Sequence, residues 1–93
     1  MKLVYTDVAI EDLKRLRAFI AVNNPPAASR IAAELVERIS ALPDFPRMGT
    51  PVALAPDPDS IRDIVFGRYV VRYSVHASAI IVLRVWHGLE GER

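Results

Sequence analysis

The sequence predicts an α+β fold of order β-α-α-β-β-β, with a helix hairpin packed on one face of a largely antiparallel sheet. Three observations carry this. Residues 8–22 and 26–42 place apolar side chains at steps of three and four, the spacing of one helix face. Residues 61–66, 69–76 and 79–86 are rich in Val, Ile and Tyr, as strands are. Between the two groups lies a stretch with five prolines (Pro43, Pro46, Pro51, Pro56 and Pro58) that can be neither helix nor central strand.

Each element has its own local reason. Residues 2–6 form a short strand, and Thr6 or Asp7 offers a side-chain oxygen to cap the helix that follows. Ala9, Leu13, Leu16 and Ile20 line one face of that helix, and Glu11 and Arg15 stand four apart on its solvent side. Asn23-Asn24-Pro25-Pro26 ends the first helix and starts the second, with Asn24 as cap and proline tolerated in the first turn. The second helix aligns Ala28, Ile31, Leu35, Ile39 and Leu42, with Arg30, Glu34 and Arg38 on its other side; Pro43 frays its end. Residues 43–60 exceed the usual connection length, so they form a crossover or a functional loop. Gly67 supplies the first hairpin turn and Ala77-Ser78 the second. The predicted core is Leu13, Leu16, Ile31, Leu35, Ile39, Ile81, Leu83 and Val85.

Size and composition bound the function. A chain of 93 residues buries roughly 65% of its extended surface, enough for one two-layer core, so residues 1–93 are expected to form a single domain. Twelve Lys and Arg against eleven Asp and Glu leave a net charge of +1, which excludes the bulk electrostatics of a strongly basic nucleic-acid coat. The absence of cysteine excludes disulfides, thiolate metal sites and a thiolate nucleophile. Two histidines without paired acidic ligands make no metal site, and no Gly-rich phosphate loop or Gly-x-Ser-x-Gly elbow occurs. Asp57 and Asp59 read as solvated loop acids. The acid at position 7 interrupts any signal peptide, and the run Ala79–Leu83 is far too short to span a membrane. The expectation is a cytoplasmic domain without cofactor, metal or membrane partner.

The charge is unevenly placed. Residues 61–87 hold Arg62, Arg68, Arg72 and Arg84 against Asp63 alone. Arginine keeps its charge and presents a planar fork of donors to phosphate or carboxylate. Strand parity sets Val70, Arg72, Val82, Arg84 and Trp86 on one face, pointing away from the helices. A two-residue turn at Gly67-Arg68 would put Asp63 opposite Arg72 and neutralise part of this cluster. Trp and Arg together are enriched at binding hot spots, which makes these five residues candidates for binding a partner. The competing reading is that loop 43–60 folds over the face and buries Trp86 internally. His87 shares the parity of Leu83 and Val85, the apolar set, which suits a core-capping residue better than a proton-transfer group. His76 reads as a solvated turn residue.

The ordered motifs carry a resemblance. Ala9-x-x-Asp12-Leu13, Asn24-Pro25-x-Ala27-Ala28, Leu42-x-x-x-Pro46-x-Met48-Gly49, Ile61-Arg62, Tyr69-x-x-x-Tyr73 and Leu83-Arg84-Val85-x-His87-Gly88 follow one another on the predicted frame. Together they resemble the RelE/ParE superfamily of toxins from bacterial type II toxin–antitoxin modules, formerly called plasmid stabilisation proteins, and ParE-like members in particular. The resemblance implies a toxin silenced by a cognate antitoxin protein. ParE-like members poison DNA gyrase, whereas RelE-like members cut messenger RNA in the ribosome. The cleaving members carry lysines on the second strand, an arginine directly after the first tyrosine of the third, and basic residues near the end. Here Arg62, Asp63 and Ile64 stand on that strand, Val70 follows Tyr69, and Gly88-Leu89-Glu90 occupies the late position. Only Arg62, Arg84 and His87 remain as alternative catalytic candidates. The implied function is therefore a ParE-like gyrase poison. The alternatives are a ribosome-dependent endoribonuclease and a degenerate toxin kept as a co-repressor that binds its antitoxin; the acidic tail, Leu89 to Arg93, keeps the latter open.

Overall fold

A computed structural model describes residues 1–57 and 60–90. Pro58 and Asp59 of the long loop, and Gly91, Glu92 and Arg93 of the tail, lie outside the described residues. The chain runs β1 (Lys2–Tyr5), α1 (Asp7–Asn23), α2 (Pro25–Ile39), β2 (Thr50–Pro51), β3 (Ile61–Phe66), β4 (Tyr69–Val75) and β5 (Ala79–His87), followed by a short 3-10 turn at Gly88–Glu90. The five strands form one sheet in the order β1-β5-β4-β3-β2, with β1 parallel to β5 and every other pair antiparallel.

The helix boundaries follow from the expected caps. Thr6 accepts a hydrogen bond from the Ala9 N–H and Asn24 one from the Ala27 N–H, each satisfying a donor that the first helical turn leaves unpaired. The α2 stripe is buried through Ala28, Leu35 and Ile39, and Leu42 just beyond the helix is fully buried. Ile39 and Leu42, with Ala9 and Leu16 of α1, meet Ile64, Val71, Tyr73, Ile80, Val82 and Val85 of the sheet in one core cluster. Each such aliphatic side chain contributes roughly 1.5–3 kcal/mol when fully buried.

One half of the predicted β5 pattern is corrected by a bulge. Tyr73 pairs with Val82 while Arg72 pairs with Arg84, so Leu83 is an extra residue on β5. Before the bulge Ile80 and Val82 face the helices; after it Val85 does. Val82 is therefore a fully buried core residue and not part of the helix-free face, and Ile81 and Leu83 are only partly buried. The cause is α1. Thr6 donates its hydroxyl to the Leu83 carbonyl where β1 ends, and α1 then covers the β5 edge that β1 no longer pairs.

The loop after α2 is pinned from beneath. Tyr73 Oη accepts from the Gly49 N–H at 2.9 Å and donates to the Pro46 carbonyl at 2.9 Å. A Cβ on residue 49 would lie 2.7 Å from that hydroxyl and 2.9 Å from the Asp63 carbonyl, which explains glycine there. Thr50–Pro51 then pair with Asp63 and Arg62, so part of the predicted loop is a short edge strand. Gly67 has φ +62° in the two-residue turn joining β3 and β4, a backbone region that favours glycine.

Candidate functional site

The helix-free face of the sheet is where the candidate residues converge. The two-residue turn fixes the register that brings Asp63 directly opposite Arg72. Arg72 donates through Nε and one Nη to both carboxylate oxygens of Asp63, at 2.8 and 2.9 Å. Its guanidinium carbon also stands 5.2 Å from the centroid of the Trp86 ring. Trp86, expected as an exposed anchor, is only 5% exposed and lies beneath this cation. Val70, opposite Trp86 across the ladder, stays half-buried at the surface.

Arg84 stands directly across from Arg72. Like charges in that position repel, and separate acids on opposite sides relieve the pair. Arg84 turns to Asp12 of α1, with Nε 2.9 Å from one carboxylate oxygen and Nη2 3.2 Å from the other. Asp12 is 2% exposed. It also accepts from the Val85 N–H at 2.9 Å and from Arg15, and Arg15 donates in turn to the Val85 carbonyl. The carboxylate and guanidinium thus replace the strand that β5 lacks along this edge. Burial alone would raise the Asp12 pKa, but the Arg84, Val85 and Arg15 hydrogen bonds outweigh it and hold the carboxyl below the usual aspartate range. Sequence reasoning missed this role of Asp12. The signal was present: an acid at position 12 falls on the same helix face as Ala9 and Leu16, a core position where a charge needs partners.

Arg62 lies on the other side of the sheet. Opposite Tyr73, it is 7% exposed and donates to the Gly49 carbonyl at 2.8 Å, so it fastens the loop. Burial raises the Tyr73 pKa, while the Gly49 N–H and the Arg62 charge partly oppose that shift. His87 pairs with Tyr69, their rings edge-to-face at 5.2 Å, and its Nδ1 accepts the Leu89 N–H at 3.0 Å. It shares the face of Val85, so the fold does not join Arg62, Arg84 and His87 into one constellation. His76 is exposed at the β4–β5 turn, its Nε2 2.9 Å from Ser74 Oγ. Arg38 and Arg68 come together at this end of the sheet. A cleft of about 250 Å³ between α2 and the β3–β4 turn is lined by Glu34, Arg38, Phe66, Arg68 and Tyr69, with Arg38 5.7 Å over the Phe66 ring. Among the described residues no group of three His, Cys, Asp or Glu could hold a metal ion, and no helix is long and apolar enough to cross a membrane.

Residues 3–91 match the family model described as the ParE toxin of the type II toxin–antitoxin system parDE. The chain belongs to this family and is a toxin of the ParE/RelE type. Toxin RelE1 of Caulobacter vibrioides is 36% identical over 84 residues, covering 88% of this chain and 87% of that protein. Among solved structures, a chain of the chromosomal ParDE system of P. aeruginosa superposes with a TM-score of 0.79 at 21% identity, over 94% of this chain and 95% of that one. A chain of the RelBE2 toxin–antitoxin complex of Mycobacterium tuberculosis gives a TM-score of 0.70 at 27% identity, over 92% and 95%. The first of these likenesses speaks for the fold alone.

Proposed function

We propose that this toxin acts by binding rather than by bond cleavage, poisoning DNA gyrase, and that a cognate antitoxin silences it. The observation that carries this reading is the state of the strand arginines. Arg72 is held bidentate by Asp63, Arg84 by Asp12, and Arg62 by a buried loop carbonyl. Phosphoryl-transfer chemistry on RNA needs cations preorganised toward a phosphate, plus a group that moves the 2′-hydroxyl proton. Guanidiniums already committed to their own carboxylates are poorly placed for that task. His87 stands on the face opposite the arginine pair.

The same face suits recognition. Val70 and Arg72 beside the buried Trp86, with Arg84 across the ladder, combine apolar surface with guanidinium groups. The RelBE2 neighbour comes from a toxin–antitoxin complex and the matching family model describes a toxin of a toxin–antitoxin system, which supports an antitoxin as one occupant. One observation favours a second reading: the 36% identical relative is named RelE1, after the branch whose resemblance implies cleavage on the ribosome.

The test is a supercoiling assay with purified gyrase and relaxed plasmid. The proposal expects loss of supercoiling, with accumulation of cleaved DNA that depends on the toxin and is reversed by its antitoxin. Unimpaired supercoiling at toxin excess contradicts the gyrase assignment.

A further inference from the structure

The two edges of the sheet are protected very differently. At one edge β2 is only two residues long, contains Pro51, and is closed by the Val52 N–H donating to the Ile61 carbonyl. Short strands and proline are common means of stopping an edge from pairing with another chain. At the other edge β1 has neither proline nor bulge, and α1 leads away from it to pack on β5 and α2.

The open edge has a defined set of unpaired groups. Lys2 N–H donates to Ser78 and Thr6 N–H to Val82, so the alternate residues Lys2, Val4 and Thr6 turn their backbone groups toward β5. Leu3 and Tyr5 therefore direct their N–H and C=O groups outward, where they meet no backbone partner among the described residues. Exposed apolar side chains gather here: Val4 on the strand is 39% exposed and Val8, just beyond it, 48%.

We propose that β1 is the interface for a second copy of this chain, paired antiparallel to itself about a two-fold axis. The register is self-complementary. With Val4 opposite Val4 of the second copy, each Leu3 faces the other copy's Tyr5. Leu3 and Tyr5 then exchange both of their outward hydrogen bonds, and the two valines meet in the closer, non-hydrogen-bonded position. The same register sets Lys2 opposite Thr6 of the second copy, beside its Asp7. Lys2 and Asp7 are both exposed, so cation meets anion twice and no like charges face each other. A shift that placed the axis at Leu3 would bring the two Met1–Lys2 segments beside each other's Val4 and Tyr5 and lose this charge match. The two five-stranded sheets join into one continuous sheet, as an isologous dimer requires.

The experiment is sedimentation of the full-length chain over a range of concentrations, combined with amide hydrogen exchange. The wild type should show a concentration-dependent dimer, with Leu3 and Tyr5 amides slowing as the dimer forms. Val4→Glu, a change at an exposed site, should lose the dimer while the circular dichroism of the fold is retained. Lys2→Glu should weaken it, and Lys2→Glu combined with Asp7→Lys should restore it. A wild type that stays monomeric overturns the proposal, as does a dimer that Val4→Glu leaves intact. Protection of Leu3 and Tyr5 that appears only when another protein is added assigns the edge to that protein and overturns it equally. The exchange readout on the wild type stands even if a charge variant fails to fold.

Discussion

Arg62 and Arg72 occupy neighbouring strands of one sheet, yet the two sides of that sheet use arginine in opposite ways. On the helix side Arg62 donates to the Gly49 backbone carbonyl beside Tyr73, whose hydroxyl fastens the same loop. On the open side Arg72 and Arg84 stand opposite each other, and each depends on a carboxylate supplied from elsewhere in the chain. A cluster of arginines in sequence need not be a cluster of available charge. Strand parity separates one from the other two, and the acids Asp63 and Asp12 satisfy the remainder.

This contrast can be broken most severely at Asp12. Asp12→Ala leaves two guanidiniums and the Val85 N–H without their shared acceptor. Removing one partner of a buried pair costs 3–5 kcal/mol, and both arginines are about one-third exposed, so we expect about 3 kcal/mol from urea unfolding. On the helix side, Tyr73→Phe strands the Gly49 N–H and the Pro46 carbonyl; a loss of about 1–3 kcal/mol is expected by the same measurement. Arg72→Ala removes a partly exposed pair and should cost only about 1 kcal/mol. Its clearer signature is optical, because uncovering Trp86, the sole tryptophan, should shift its fluorescence to longer wavelength.

Acid and alkali should separate the two sides as well. The folded Asp12 pKa lies below its unfolded value, so its stabilisation is present above the ordinary aspartate value of about 3.9 and is lost as pH falls through the folded pKa. Asp12→Asn should flatten that acid arm of the stability profile. The Tyr73 pKa is raised, so its contribution is complete below the ordinary tyrosine value of about 10 and declines as pH rises from there toward the folded value. Tyr73→Phe should weaken the alkaline arm and leave the acid arm unchanged. Tyr5, whose hydroxyl is buried without a hydrogen-bond partner among the described residues and whose pKa burial also raises, should account for the part that persists.

Much of the architecture was legible because its causes are local. Thr6 and Asn24 act as caps through contacts three residues away, and the spacing of Leu35 and Ile39 is a property of one helix. The Gly67 turn, a local feature, also decided the Asp63–Arg72 register that parity alone left open. The bulge at Leu83 was not legible, since Ile80 to Leu83 are all apolar and either parity looks satisfactory. It arises from Thr6 and Asp12, more than seventy positions away in sequence. The Tyr73 clamp was hidden for the same reason: its partners are loop backbone groups, which carry no side-chain signature. Placing Val82 among the surface candidates followed from missing the bulge, and the exposed Trp86 from overlooking what Arg72 could cover.

With Arg62, Arg72 and Arg84 held by the chain's own carbonyl and carboxylate groups, this toxin is expected not to cleave RNA. The most direct measurement is primer extension on messenger RNA bound to translating ribosomes, with the purified chain added. No new cleavage sites are expected within the ribosome-bound codons. Cleavage that appears there and disappears in Arg84→Ala or His87→Ala would contradict that expectation.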